Sequence, residues 1–296
     1  MSFFKRVVCR LAREGRLDSL SDKAYLKLMY RARMGKKLNL KAPKTFNEKL
    51  QWLKLYDRKP IYTTMVDKYE AKKYVAGHIG EEYIIPTLGV WDSFDEIDFD
   101  SLPNQFVLKC THNSGGLAIC RNKENWDPVT KREMFERCLK KNYYFSGREW
   151  PYKNVKPQVI AETYMEDPEQ PAGLRDYKFY CFNGEPRFLY VSEGLENHAT
   201  AKISFLNADW TFAPFGRSDY RPFSQLPPKP ANYERMLSLA KQLSQGIPFL
   251  RVDLYEINGK VYFSELTFSP CSGMMPFDPP EWDAICGEMI TLPNQK

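Results

Sequence analysis

Two Asn-Gly dipeptides, Asn183-Gly184 and Asn258-Gly259, each lie between runs rich in apolar and aromatic residues, and they constrain the fold more than any other feature of the chain. A two-residue turn of this kind takes positive φ at both central positions and joins antiparallel strands. Residues 177–182 and 187–192, then 249–257 and 260–266, therefore read as two hairpins. Further strands are predicted over 106–109, 117–120, 159–164 and 201–206. Helices are predicted over 24–34 behind a Ser21-Asp22 cap, over 49–56 behind the capping box Thr45-Phe46-Asn47-Glu48, and over 63–76, 128–141 and 233–245. The order is α+β with antiparallel hairpins, not the alternating βα units of a doubly wound sheet.

The chain has 296 residues, 43% hydrophobic and 15% aromatic, enough to bury a large core, and no linker, repeat or low-complexity tract separates its parts. No apolar run approaches the roughly 18–20 residues that span a bilayer, and the N-terminus lacks the apolar core of a signal peptide, so a cytoplasmic location is expected. Seven cysteines without a CxxC pair suit a reducing compartment, and with three histidines a metal would be held by carboxylates. The formal charge of +6 is concentrated in the first 60 residues. Phe3, Phe4, Val7, Val8 and Leu11 recur at helical spacing, with Lys5, Arg6, Arg10, Arg13 and Arg16 at the other positions. Such a helix can lie on an anionic surface, although a helix packed on the protein body is the stronger expectation. No nucleic-acid reading module accompanies the charge.

The second hairpin carries the densest chemistry. Alternation puts Arg251, Asp253 and Tyr255 on one face of one strand, and Phe263, Glu265 and Thr267 on one face of its partner. Asp253 and Glu265 then converge. Paired carboxylates repel unless a cation lies between them, and Mg²⁺ takes a few carboxylates together with phosphate oxygens. Arg251 can neutralise charge on a transferring phosphoryl group or an acyl oxyanion. A polar face of surface ion pairs is the common alternative, and the apolar residues around these charges weigh against it. Lys109 followed by Thr111-His112-Asn113-Ser114-Gly115-Gly116 offers backbone N–H groups and a point charge to phosphates, without the spacing of a P-loop. The strand Ile160-Ala161-Glu162-Thr163-Tyr164 could present backbone groups to an adenine edge. On the next strand Asp176 and Lys178 share a face.

Taken in order, Asp67-Lys68, Lys109 with its loop, the Glu162 strand, Asp176-x-Lys178, Arg251-x-Asp253 and Glu265-x-Thr267 resemble the ATP-grasp superfamily over residues 65–275. More narrowly, the run from Lys44 to Trp52 and Leu88-Gly89-Val90-Trp91 resemble the TupA-like ATP-grasp proteins of bacterial polysaccharide gene clusters. The resemblance implies an ATP-grasp fold, with two α+β lobes sandwiching ATP, Mg²⁺ bridging the phosphates, and an acyl phosphate that an amine attacks. It implies that Lys109 contacts phosphates and that His112, Asn113, Ser114, Gly115 and Gly116 form a flap. Glu162, Thr163 and Tyr164 would form the adenine hinge, and Asp176 would contact nucleotide or metal. Lys178 and Arg251 would be the catalytic cations, and Asp253 and Glu265 would hold metal. Thr267 stands where many ATP-grasp ligases have an Asn ligand, which leaves the number of ions open. Cys271 lacks a nearby His to activate it as a nucleophile.

The function expected is that of an ATP- and Mg²⁺-dependent ligase joining a carboxylate, such as a uronic acid of a surface glycan or its precursor, to an amine such as an amino acid. A glycosyltransferase or a sugar kinase is the alternative. The expected division is a basic helical region over 1–62, a flap-bearing part over 63–162 and a metal-bearing lobe over 163–296. Arg148, His198 and Lys202 are candidate substrate contacts, and the N-terminal helices a candidate peripheral membrane or glycan contact.

Overall fold

The computed structural model describes residues 3–171, 173–195 and 200–294; His198 lies outside them. In chain order the elements are α1 (Phe3–Arg13), α2 (Asp22–Met34), α3 (Phe46–Tyr56), α4 (Ile61–Val66), α5 (Glu70–Ile79), β1 (Thr87–Trp91), β2 (Phe106–Cys110), β3 (Leu117–Cys120), α6 (Pro128–Leu139), α7 (Tyr144–Gly147), β4 (Val159–Thr163), β5 (Asp176–Phe182), β6 (Glu185–Glu193), β7 (Lys202–Asn207), β8 (Gly216–Arg217), α8 (Tyr233–Ser244), β9 (Phe249–Ile257), β10 (Lys260–Thr267), β11 (Phe277–Asp278) and α9 (Trp282–Glu288).

Both Asn-Gly hairpins form. Asn183 and Gly184 have φ of 50° and 84°, Asn258 and Gly259 of 51° and 72°, the left-handed pair such a turn needs. They build a five-stranded sheet of order β10-β9-β5-β6-β7, while a smaller sheet has the order β1-β4-β2-β3. Every pairing within these two sheets is antiparallel. One face of the larger sheet, with Phe179, Leu189, Val252, Leu254 and Phe263, buries against Met236, Leu239 and Leu243 of α8 and Val75 of α5. Part of its other face is an aromatic cluster in which Tyr180, Phe182, Phe188, Phe205 and Phe249 meet Phe46 of α3 and Phe277 of β11. Phe46 is fully buried and meets Phe249 and Phe277 edge-on at 4.9 and 5.6 Å. Such pairs add about 0.5–1.5 kcal/mol beyond area burial. The rest of that face is charged.

The caps explain where the helices start. Ser21 accepts from the Ala24 amide, and Thr45 and Glu48 form the full capping box of α3. The helix expected over 63–76 is instead two helices, α4 and α5, and the second continues to Ile79. The Asp67 carboxylate accepts from the Tyr69 and Glu70 amides at 2.8 and 3.2 Å, starting a new helix, and the Lys68 amide donates to the Thr111 carbonyl. Local capping and a tertiary bond thus override a continuous helical pattern. Sequence reading also missed β1, a short strand interrupted by a register shift between Thr87 and Gly89. At its N-terminus α1 lies along α2 with Val8 in a core of Tyr25, Leu26, Met29 and Trp52. Packing on the body is therefore only partial: Phe3, Phe4 and Val7 remain exposed.

Candidate functional site

The charged part of the larger sheet is set by register. Lys178 of β5 pairs with Asp253 of β9, which pairs with Glu265 of β10, while Thr267 pairs with Arg251 and Arg251 with Tyr180. Directly paired residues share a face, so Asp176, Lys178, Arg251, Asp253, Glu265 and Thr267 stand together. The register shifts between Phe263 and Glu265, and Ser264 is the extra residue. That bulge corrects the expected hairpin face: Phe263 pairs with Leu254 and packs into the apolar core, not beside Glu265.

Asp253 has no exposed surface. Arg251 donates to its two oxygens at 2.7 and 2.6 Å, and Lys178 to one of them at 2.8 Å and to Asp176 at 3.0 Å. Burial pushes the Asp253 carboxyl up, but Arg251 and Lys178 outweigh it and hold it below the usual carboxylate range. The same contacts raise Lys178 and Arg251 well above their ordinary values against the opposing effect of burial. Arg251 also donates to the Thr267 hydroxyl at 2.9 Å and lies 3.6 Å from Glu265. Glu265 is the open carboxylate, with its side chain 35% exposed. Among the described residues no cluster of three or more His, Cys, Asp or Glu could hold a metal on its own. Mg²⁺ needs less than that, since one or two carboxylates suffice when phosphates and waters complete its shell. Glu265 is the carboxylate of this face open to such an ion, since Arg251 and Lys178 take both oxygens of Asp253 and Arg251 donates to the Thr267 hydroxyl.

The smaller sheet supplies a second cluster. Glu162 is flanked by β1 and β2, and its carboxylate takes Lys109 of β2 and Lys72 of α5, each at 2.5 Å. Burial works against its ionisation, yet the two lysines bring its pKa down to about 2. Lys72 also donates to the Ile85 carbonyl at 2.7 Å and the Thr87 hydroxyl at 3.1 Å. Thr163 donates its amide to the Pro86 carbonyl, and the Tyr164 hydroxyl accepts from Arg121 at 3.3 Å. In the loop after Lys109, His112 and Asn113 are buried. The His112 ring contacts the Cys138 carbonyl at 3.0 Å, and burial lowers its pKa. Ser114 and Gly115 form the exposed tip. Gly116 has φ of 59°, and a Cβ there would meet the Cys110 sulfur at 2.9 Å.

Lys68 lies against the loop after Lys109. Its ammonium donates to the Asn113 carbonyl in the glycine-rich loop, and burial lowers its pKa. The charge that opposes this most is Glu265 on the large sheet, while Lys109 and Glu162 act on it from the small one.

Behind the hairpin lies a device that sequence reading did not find. Cys271 and Ser272, with φ of 52° and 56°, are consecutive left-handed non-glycine residues just after β10, a conformation costing about 1–2 kcal/mol each. One face of α3 holds them. Asn47 exchanges two bonds with the Met275 backbone at 3.0 and 2.7 Å, Gln51 donates to the Ser272 and Gly273 carbonyls at 3.0 and 2.6 Å, and Lys54 donates to the Ser272 carbonyl and hydroxyl and to the Gly147 carbonyl at 2.7, 2.9 and 2.9 Å. All three side chains are buried. Burial pushes Lys54 down to about 8 and the nearby Glu149 up, each relieved by the other's charge. The signal was the polar series Asn47, Gln51 and Lys54, at helical spacing within an otherwise apolar face.

Arg148, expected as a substrate contact, is instead structural: it is 2% exposed, donates to the Leu17, Asp18 and Leu20 carbonyls, and stacks on Tyr25, Tyr144 and Phe145. Lys202 lies apart from the charged face, over Phe223 and in a hollow shared with Arg175 and Glu193.

The sequence profile of the TupA-like ATP-grasp proteins matches residues 48–291. No curated protein matches the chain. Among solved structures, a D-alanine–D-alanine ligase from Helicobacter pylori aligns with a TM-score of 0.44 and 16% identity over 78% of this chain and 64% of its own. A RimK-domain ATP-grasp protein from Sphaerobacter thermophilus aligns at 0.43 and 10% over 79% and 70%. A D-alanine–D-alanine ligase from Bacillus anthracis, complexed with ATP, aligns at 0.41 and 16% over 85% and 69%. The chain thus spans less than two thirds of the Helicobacter pylori protein's length.

Proposed function

We propose that this chain, which belongs to the TupA-like ATP-grasp family, is an ATP- and Mg²⁺-dependent ligase that activates a carboxylate as an acyl phosphate and joins it to an amine. The observation that carries this reading is the charged face that register builds, where Lys178 and Arg251 bind buried Asp253 and the more open Glu265 lies 3.6 Å from Arg251. The ammonium groups of Lys68 and Lys109 offer charge to a polyphosphate, while that of Lys72 is held by Glu162, the Ile85 carbonyl and the Thr87 hydroxyl.

In this reading Lys109 and Lys68 bind phosphate oxygens, and the Ser114-Gly115-Gly116 tip covers them with backbone amides. His112 and Asn113 anchor that tip. Glu162 keeps Lys72 and Lys109 in place, while the backbone of Thr163 and Tyr164 borders the base. Glu265 is the principal metal donor, with Asp253 and Thr267 beside it. Mg²⁺, when bound there, neutralises phosphate charge. Arg251 and Lys178, held by Asp253 and Asp176, stabilise charge on the transferring group. A carboxylate oxygen attacks the γ-phosphorus and ADP leaves; the amine then attacks the acyl carbon, loses a proton, and phosphate departs with that oxygen. The substrates we propose are a uronic acid of a surface glycan or its precursor, and an amino acid.

Incubation of ATP, Mg²⁺, uronates and amino acids, followed by mass spectrometry, tests the reading. ADP, phosphate and a new amide are expected together. ADP accompanied by a phosphorylated sugar and no amide would replace the ligase with a kinase.

A further inference from the structure

Outside the site, α1 presents an unusual surface. Val8 anchors it to α2, but Phe3, Phe4 and Val7 are 75%, 45% and 39% exposed. Phe3 and Val7 are one helical turn apart. Arg6, Arg10 and Arg13 form a parallel row at i, i+4 and i+7, so the apolar row and the basic row lie side by side. With Cys9 and Glu14 the three arginines line a hollow of about 360 Å³. Glu14 is the acidic group there, and Arg10 and Arg16 engage it at 2.7 and 3.2 Å. A monomeric protein rarely leaves two phenylalanines and a valine together in water. The pairing of apolar side chains with guanidinium groups is complementary to a phospholipid interface, whose acyl boundary accepts the rings while its phosphates meet the arginines.

We propose that α1 is a membrane-docking helix that lays Phe3, Phe4 and Val7 into an anionic lipid surface, with Arg6, Arg10 and Arg13 on the headgroup phosphates. The contact is peripheral, since no described helix is long and apolar enough to cross a bilayer. It does not depend on the ligase reading, because lipid binding is measured without nucleotide.

The test is co-sedimentation of the full chain with vesicles of equimolar phosphatidylglycerol and phosphatidylcholine, and with vesicles of phosphatidylcholine alone. Binding to the anionic vesicles is expected, weakening as salt rises. Each of Arg6→Gln and Arg13→Gln should weaken it roughly fivefold. Phe3→Ser/Val7→Ser should weaken it by roughly a hundredfold, with circular dichroism unchanged and the melting temperature lowered only slightly, since Phe3 is mostly exposed and Val7 partly so. The proposal is overturned if the wild type stays in the supernatant, if the double variant sediments like the wild type, or if neutral vesicles bind equally well. It is also overturned if light scattering shows a dimer that the double variant dissolves, since the apolar row would then cover a second copy of this chain.

Discussion

Replacing Lys54 by Met tests whether α3 builds the site. The side chain donates three hydrogen bonds, to the Gly147 carbonyl and to the Ser272 carbonyl and hydroxyl. Gln51 still reaches the Ser272 carbonyl, so the Gly147 carbonyl is the group left without that donor, a loss of about 1–3 kcal/mol. Glu149 also loses the positive charge that opposes its burial, which adds to the deficit while its carboxyl is ionised. Burial already disfavours the charged ammonium that Met removes, which offsets part of this, so urea denaturation at neutral pH should show roughly 1–3 kcal/mol less stability. The sign with pH follows from Glu149. Its folded pKa is raised, so the penalty is absent below the ordinary carboxylate range and appears as pH rises through the folded value. The variant's deficit should therefore shrink on acidification, and Glu149→Gln added to Lys54→Met should restore part of it. Turnover should fall with the KM for ATP little changed, because the turn at Cys271 and Ser272 loses its hold while the lysine cluster keeps its own. A variant as stable and active as the wild type at every pH would refute this account of α3.

The facing carboxylates of the hairpin should behave oppositely. Asp253→Asn, with both oxygens bound by buried cations, should cost about 3–5 kcal/mol in urea denaturation, whereas Glu265→Gln, half-exposed, should cost under about 0.5 kcal/mol and abolish turnover. Glu162, with its folded pKa down to about 2, lends stability that is present above the ordinary carboxylate range and lost as pH falls towards 2. The cluster is worth roughly 3 kcal/mol, and acid titration of Glu162→Gln should be flatter by that amount. Gly287→Ala would put a Cβ 2.1 Å from the Lys44 carbonyl oxygen and 2.8 Å from the Phe46 nitrogen. Backbone cannot yield as a side chain can, so a loss of about 3 kcal/mol is expected from its denaturation midpoint.

Most of the larger sheet could be read from the sequence because Asn-Gly turns and alternation are local signals. Asp176 shares a face with Lys178, and Arg251 with Asp253, for the same reason, whereas the pairing that sets Lys178 against Asp253 joins strands far apart in sequence. The break at Asp67 to Tyr69 was not legible, because the bond from the Lys68 amide to Thr111 joins residues far apart in sequence. Neither was the Ser264 bulge: one inserted residue leaves alternation intact on each side and reverses only the phase between them. Lys72 and Lys54 look in sequence like solvated helix positions, and only folding shows Lys72 on Glu162 and Lys54 on the strained turn. The exposure of Phe3, Phe4 and Val7 was hidden too, since an amphipathic pattern names an apolar face without saying what covers it.

The most direct measurement follows oxygen. With uronates labelled by ¹⁸O in the carboxylate, an amino-acid mixture, ATP and Mg²⁺, an acyl-phosphate route transfers one labelled oxygen to inorganic phosphate as the amide forms. Mass spectrometry of the phosphate should therefore show the label with the wild type, and neither label nor ADP with Glu265→Gln. Amide and ADP formed with unlabelled phosphate would contradict carboxylate activation by this site.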